Sequence, residues 1–147
     1  HPKIILAGRE LNDKMGNYVA SQLITKMKKK FIKIKNAKIL IMGLTFKENC
    51  ADIRNSGIKS VIEILKKSKC NLDLFDPWAS KKDIKKTYDV FPKLKLIKNT
   101  YDGIIIAVSH DKFKTLGIDT INNLCKKNHV IYDLKNLFTS NKIDLRL

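Results

Sequence analysis

The stretch Thr45-Phe46-Lys47-Glu48-Asn49-Cys50-Ala51-Asp52-Ile53-Arg54-Asn55-Ser56 gathers two cations, two carboxylates and a thiol between a strand-like run, residues 38–43, and a helix-like run beginning near Ile58. Strand-to-helix connections usually take about two to six residues, so this one is long for its place. A guanidinium fork at Arg54 and a point charge at Lys47 could clamp a diphosphate. The helix start just beyond would add unpaired N–H groups and a partial positive charge, with Asn55 or Ser56 as its cap. The same residues support a plainer arrangement, in which Lys47 and Arg54 pair with Glu48 and Asp52 on a solvated loop. Pattern alone leaves both readings open.

Other candidates are weaker. Ser109-His110-Asp111 contains the residue types of a triad, but neighbours in sequence seldom aim at one another, and a helix-capping role for Ser109 or Asp111 is the better reading. His129 is expected at the surface. Trp78, after Asp76-Pro77, reads as a lid on a sheet end, with stacking on a base as the alternative. Cys50, Cys70 and Cys125 are far apart and odd in number, with neither a CxxC nor a His/Cys ligand spacing, so neither a disulfide framework nor a metal site is indicated. No GxG occurs anywhere, and the turn after the first strand holds one glycine, Gly43, so the dinucleotide fingerprint is missing.

The elements that must position these residues follow from periodicity. Leu11, Met15, Val19, Leu23 and Met27 recur every four residues and predict a helix over residues 10–31, started by Asn12 or Asp13 and ended near Lys28-Lys29-Lys30. A ridge of that period drifts around the helix, so the helix should touch more than one neighbour. From residue 35 strands and helices alternate. Strands are expected at 38–42, 71–75, 104–108 and 130–134, with helices from Ile58, over 79–87 and over 112–125. Apolar strands between amphipathic helices indicate an α/β fold, a Rossmann-like parallel sheet with helices on both faces, preceded by a long connecting helix. The only boundary in view lies near residues 30–36, giving units 1–34 and 35–147. Ligands of such sheets bind at the carboxyl ends of the strands, which puts the long loop, Asp76, Ser109-His110-Asp111 and Asp133-Leu134-Lys135 on one rim.

The chain has 147 residues and a formal net charge of +16. Nearly all the excess is lysine spread along the chain, with Arg only at positions 9, 54 and 146. Nucleic-acid readers favour arginine forks and stacking aromatics, so no nucleic-acid partner is expected. Apolar runs are too short to span a bilayer, and no signal peptide or membrane partner is expected. The unpaired cysteines suit a reducing cytoplasm. The initial His1 suggests a fragment or a processed chain.

The runs KILIMGLTFKENCADIRNS, LFDPWA, IIIAVSHDKFKTLG and VIYDLKNLF, in that order, resemble the C-terminal domain of the UDP-glucose/GDP-mannose dehydrogenase family. HPKIILAGRELNDKMGNYVA is similar to the end of that family's central helical domain, and VSHDKFKTLG looks most like the branch acting on UDP-N-acetylhexosamines. The resemblance implies an enzyme that oxidises C6 of a nucleotide sugar twice with NAD, through a cysteine-bound intermediate, in pathways of capsule or surface-polysaccharide synthesis. It implies that this domain holds the nucleotide end of the UDP-sugar while an N-terminal domain binds most of the cofactor. Phe46 and Lys47 match the family's substrate-binding pair, and Arg54 matches an arginine reaching toward the NAD pyrophosphate. Lys135 aligns with a basic substrate contact, and Arg146 is a weaker candidate of the same kind. The family's Gly-Gly-x-Cys nucleophile and its GxGxxG turn both lack a counterpart here, so they are expected upstream of His1. No catalytic residue is then expected in this chain, which alone should be inactive. A homodimer through the central helical region is expected. The competing readings are a freestanding UDP-sugar-binding module and a basic nucleic-acid-binding domain.

Overall fold

Ile39, Leu40, Ile41 and Met42 are apolar at consecutive positions, which a strand tolerates only when both of its faces are covered. The computed structural model describes the backbone of residues 2–147 and the side chains from residue 14 onward. In it these residues form β1 (Lys38–Met42), a central strand whose last four residues are buried. The remaining strands are β2 (Asn71–Phe75), β3 (Tyr101–Ile106), β4 (Cys125–Asp133) and β5 (Leu145–Arg146). All pair in parallel in the order β2-β1-β3-β4-β5. The α/β, Rossmann-like architecture expected from the alternation is therefore the one observed.

Alternate residues feed two cores. Ile39, Ile41, Ile105, Val130 and Tyr132 face α1 (Pro2–Lys29), α2 (Ile58–Lys67) and α3 (Lys81–Tyr88). Leu40, Met42, Ile104, Ile106 and Ile131 face α4 (Asp111–Leu116) and α5 (Ile118–Asn123). On α2 the buried Ile58, Val61, Ile62 and Leu65 make the stripe read from the sequence.

Helix α1 begins at Pro2 and runs through Asn12-Asp13 rather than starting there. Proline is well suited to a first helical turn, whose N–H groups lack intrahelical partners anyway. The helix does touch more than one neighbour. Val19, Ala20, Leu23 and Met27 enter the sheet's core, and Gly16 crosses α2 so closely that a Cβ there would lie 1.9 Å from Ser60 Oγ. It stops by a Schellman arrangement: Phe31 takes φ 62°, its N–H donates to Lys28 O (3.0 Å), and Ile32 N–H donates to Met27 O (2.9 Å). Lys30 then ties the helix end to the sheet, its Nζ donating to His129 O and Asp144 Oδ1, each at 2.6 Å.

Several expected boundaries moved: β3 covers Tyr101–Ile106 rather than 104–108, and α3 covers Lys81–Tyr88 rather than 79–87. The helix expected over 112–125 is two short helices, because Gly117 takes φ 84° and ends α4. His129 lies inside β4, half-buried, rather than before the strand. Strand β5 is only two residues long, too short to carry a periodicity. Among the described residues no helix is long and apolar enough to cross a membrane, and no cluster of His, Cys, Asp or Glu could hold a metal.

Candidate functional site: a cleft at the switch point of the sheet

Strand order reverses between β1 and β3, since the chain leaves β1 toward β2 on one side and resumes at β3 on the other. The carboxyl ends of β1 and β3 therefore flank a crevice, the usual ligand position in open α/β sheets. Gly43 ends β1 with φ 99°, and a Cβ there would meet Val108 Cβ at 2.7 Å. Backbone conformation and the neighbouring strand end both demand glycine.

That turn does not fit a dinucleotide held in the standard Rossmann manner. The space beside Gly43 is taken by Val108. An acidic residue after β2 would ordinarily hold the ribose. Here the Asp76 side chain is wholly buried and already engaged. It accepts hydrogen bonds from Leu44 N (2.7 Å), Trp78 N (2.7 Å) and Ala79 N (3.0 Å), and lies 3.0 Å from His110 Nε2. Burial alone would push its carboxyl up, but His110 and the three backbone donors outweigh that and hold it below the usual range.

His110 is likewise wholly buried. The Asn49 backbone N–H can only donate, so Nδ1, at 3.0 Å, accepts, and the hydrogen sits on Nε2, directed at Asp76. Asn49, at φ 55°, also grips the start of α4: its Oδ1 accepts from Asp111 N (3.1 Å) and its Nδ2 donates to Asp111 Oδ2 (3.0 Å). The long loop is thus pinned to the sheet end at its middle. Ser109-His110-Asp111 is no triad, and the cap of α4 comes from Asn49 rather than from Ser109 or Asp111.

Between this loop and α1 lies a cleft of about 230 Å³. Phe46 and Lys47 line it from the loop, Lys135 from beyond β4, and Met15 and Val19 from α1, with Leu147 at its edge. Ser56, Gly57 and Ile58 bring the start of α2 to the same wall. Gly57 occupies the cap position without a side-chain hydrogen bond, so neither Asn55 nor Ser56 caps this helix as the sequence suggested. Its first N–H groups have no side-chain partner, which suits an anion. Lys135 is set by Asp133, whose buried carboxylate accepts from Lys135 N (3.1 Å) and Phe138 N (2.9 Å). Lys47 and Lys135 make no ion pair among the described residues. Glu48 adds one carboxylate to the lining.

Three of the residues singled out from the sequence, Phe46, Lys47 and Lys135, therefore meet in one cleft. Arg146 does not join them. Its guanidinium donates to Phe138 O (3.2 Å) and Ser140 O (2.8 Å), closing the segment before β5. Arg54 also lies outside the cleft, exposed and paired with Asp52 through Nε and Nη2, each at 3.0 Å. The solvated-loop reading thus describes Arg54 in this structure, but not Lys47. Sequence reasoning missed the contribution of α1 and the part played by Asn49. The only advance signal for Asn49 was an asparagine in a loop, a residue type that tolerates left-handed backbone.

A doubly wound sheet with a basic cleft at its switch point defines a nucleotide-binding class of α/β domain. Residues 40–140 match the family described as UDP-glucose/GDP-mannose dehydrogenase family, UDP binding domain, and the chain belongs to that family. It is 48% identical to the UDP-N-acetyl-D-glucosamine 6-dehydrogenase of Pseudomonas aeruginosa and 46% identical to that of Salmonella typhi. Each match takes in 100% of this chain and 35% of the relative. The chain thus spans about a third of the length of the curated relatives it matches. The solved structure of a UDP-D-ManNAc dehydrogenase from Pyrococcus horikoshii superposes with a TM-score of 0.72 at 25% identity, over 94% of this chain and 31% of that one.

Proposed function

We propose that this chain is the C-terminal part of an NAD-dependent nucleotide-sugar 6-dehydrogenase, and that it binds the UDP end of a UDP-N-acetylhexosamine. Residues 1–34 are the end of a central helical, dimer-forming domain and residues 35–147 the nucleotide-sugar domain of a cytoplasmic enzyme. The observation that carries this reading is the convergence of Phe46, Lys47, Lys135 and the uncapped start of α2 on one cleft. The lysines and the helix N–H groups meet the diphosphate, and Phe46 offers an aromatic face to the pyrimidine. Arg54 leaves Asp52 to reach the NAD pyrophosphate from the cofactor side.

The oxidation itself is assigned to residues outside this chain. A thiol nucleophile needs ready access to its thiolate. Burial pushes the Cys125 thiol up to about 12, and burial followed by the charge of Asp102 raises Cys70. Cys50 is half-buried on the loop, and among the described residues no side-chain hydrogen bond joins its thiol to a base.

The test is calorimetric titration of UDP into the complete gene product. Lys47→Ala and Lys135→Ala should each weaken UDP binding by roughly ten- to a hundredfold, the worth of a charge-assisted hydrogen bond. Arg54→Ala should leave UDP affinity in place and chiefly raise the NAD concentration needed for half-maximal rate. Unchanged UDP affinity in both lysine variants would remove this reading.

A further inference from the structure

We propose that His110, buried outside the cleft, is a positioning residue for the nucleotide-binding loop; this deepens the reading above and rests on it. The imidazole joins three separate parts of the rim. Its Nε2–H is aimed at Asp76 Oδ2 after β2 (3.0 Å), with Thr45 Oγ1 at 3.3 Å on the same side. Its Nδ1 receives the Asn49 N–H (3.0 Å). Thr45 Oγ1 in turn donates to Lys47 O (2.9 Å), so the imidazole stands one hydroxyl away from the backbone of the residue assigned to the diphosphate.

The ring is held in this orientation. Asp76 is itself fixed by three backbone donors, and Phe113 lies edge-on to the imidazole at 5.2 Å between centroids. Fixing the acceptor Nδ1 in this way fixes Asn49, which must hold a left-handed φ of 55° to make its bonds to Asp111. Phe46 and Lys47 lie between two points tied to the imidazole, Thr45 and Asn49. Both are exposed and Lys47 makes no ion pair among the described residues, so their positions rest on these two anchors together with the Phe46 N–H, which donates to Asp52 O (2.7 Å). A loop pre-set in its binding geometry gives up less freedom when the ligand arrives. His110 therefore sets affinity for the nucleotide without touching it.

Two substitutions separate this role from mere space-filling. In His110→Asn the side-chain oxygen can stand near the former Nδ1 and still accept from Asn49 N–H. In His110→Gln the amide nitrogen can stand near the former Nε2 and still donate to Asp76, while the acceptor for Asn49 is lost. On the complete gene product, UDP should bind His110→Gln roughly three- to tenfold more weakly than His110→Asn, the effect of one hydrogen bond. The maximal rate at saturating UDP-sugar should change little, so the loss appears in KM. Amide hydrogen exchange gives an independent reading: the Asn49 N–H should be protected in wild type and in His110→Asn, and exchange faster in His110→Gln.

Equal UDP affinity in the two variants, with Asn49 exchange altered, would overturn the positioning role and leave UDP binding standing. Equal exchange in the two variants would overturn it as well. Wild-type protein that fails to bind UDP while Asn49 stays protected would instead overturn the functional reading on which this proposal rests. Should either variant fail to fold, Thr45→Val tests the other anchor. It keeps the shape of the side chain and removes the hydroxyl that stands between the imidazole and Lys47 O, and undiminished UDP affinity in it would count against the proposal.

Discussion

Asp76 and Asp133 solve the same problem at the ends of β2 and β4. A chain leaving a buried strand carries backbone N–H groups that need acceptors, and a carboxylate at the strand's end supplies them. Asp76 serves Leu44, Trp78 and Ala79, and Asp133 serves Lys135 and Phe138. Because the folded protein holds the Asp76 carboxyl below its usual range, the unfolded chain binds a proton there more readily. The associated stability is complete above the ordinary aspartate value of about 4 and is lost as pH falls through the depressed value. Asp76→Asn should cost about 2–3 kcal/mol at pH 7, the worth of a hydrogen-bonded buried charge. It should also flatten the fall in stability below about pH 4, as read by urea denaturation at a series of pH values; a variant curve parallel to wild type would contradict this. At this scale the sequence was legible where a residue type has one dominant use. Lys47 and Lys135 could be placed on the rim, and the Ser-His-Asp run could be set aside as a triad. The His110–Asp76 contact was not legible, because it joins positions 34 residues apart and forms only once β2 and β3 are assembled.

Helices and strands were legible to the extent that one face repeats. The stripe of α2 marked its start, and the apolar run of β1 and the alternating Leu72 and Leu74 of β2 marked those strands, whereas α1 hid its true start because Asn12-Asp13 reads as a cap yet sits inside a helix. The break at Gly117 was a single residue whose conformation, not its composition, divides α4 from α5. The drifting ridge of α1 signalled a second neighbour but not that α2 is crossed at Gly16, although α1 forms one wall of the cleft. Gly16 faces Ser60 so closely that Gly16→Ala must displace Ser60 or part the helices, with a Cβ only 2.7 Å from Ser60 Cβ. Alanine gains up to about 1 kcal/mol of helix propensity over glycine, but overpacking of this kind costs about 1–3 kcal/mol. Gly16→Ala should therefore be destabilising, and Gly16→Ala/Ser60→Gly should be more stable than the sum of the two single effects by about 1 kcal/mol or more in a double-mutant cycle. Additive single effects would mean that the crossing yields without strain.

Across the whole molecule the dominant quantity is charge, +16 over 147 residues, and it is the one property whose meaning the sequence left to argument. A polyanion-binding surface and a small anionic ligand both gain from such a field, but they depend on salt differently. A protein that covers six or more nucleic-acid phosphates loses on the order of a thousandfold or more in affinity between about 50 and 200 mM salt, through counterion release. A nucleoside diphosphate presents its charge over a few ångströms. In this cleft it would meet two lysines and one helix start, while most of the remaining lysines act only through a screened field. UDP affinity should therefore fall by only about three- to tenfold over the same salt range, with UMP binding more weakly because it lacks the second phosphate. A duplex oligonucleotide should not displace UDP at about 150 mM salt, where exposed charges more than about 8 Å apart are largely screened. Competition titrations at two salt concentrations decide the matter. A thousandfold loss of UDP affinity, or ready displacement by the duplex, would move the ligand from the cleft to the lysine-rich surface. A shallow salt dependence that steepens no further in Lys47→Ala would keep it where Lys47 and Lys135 converge.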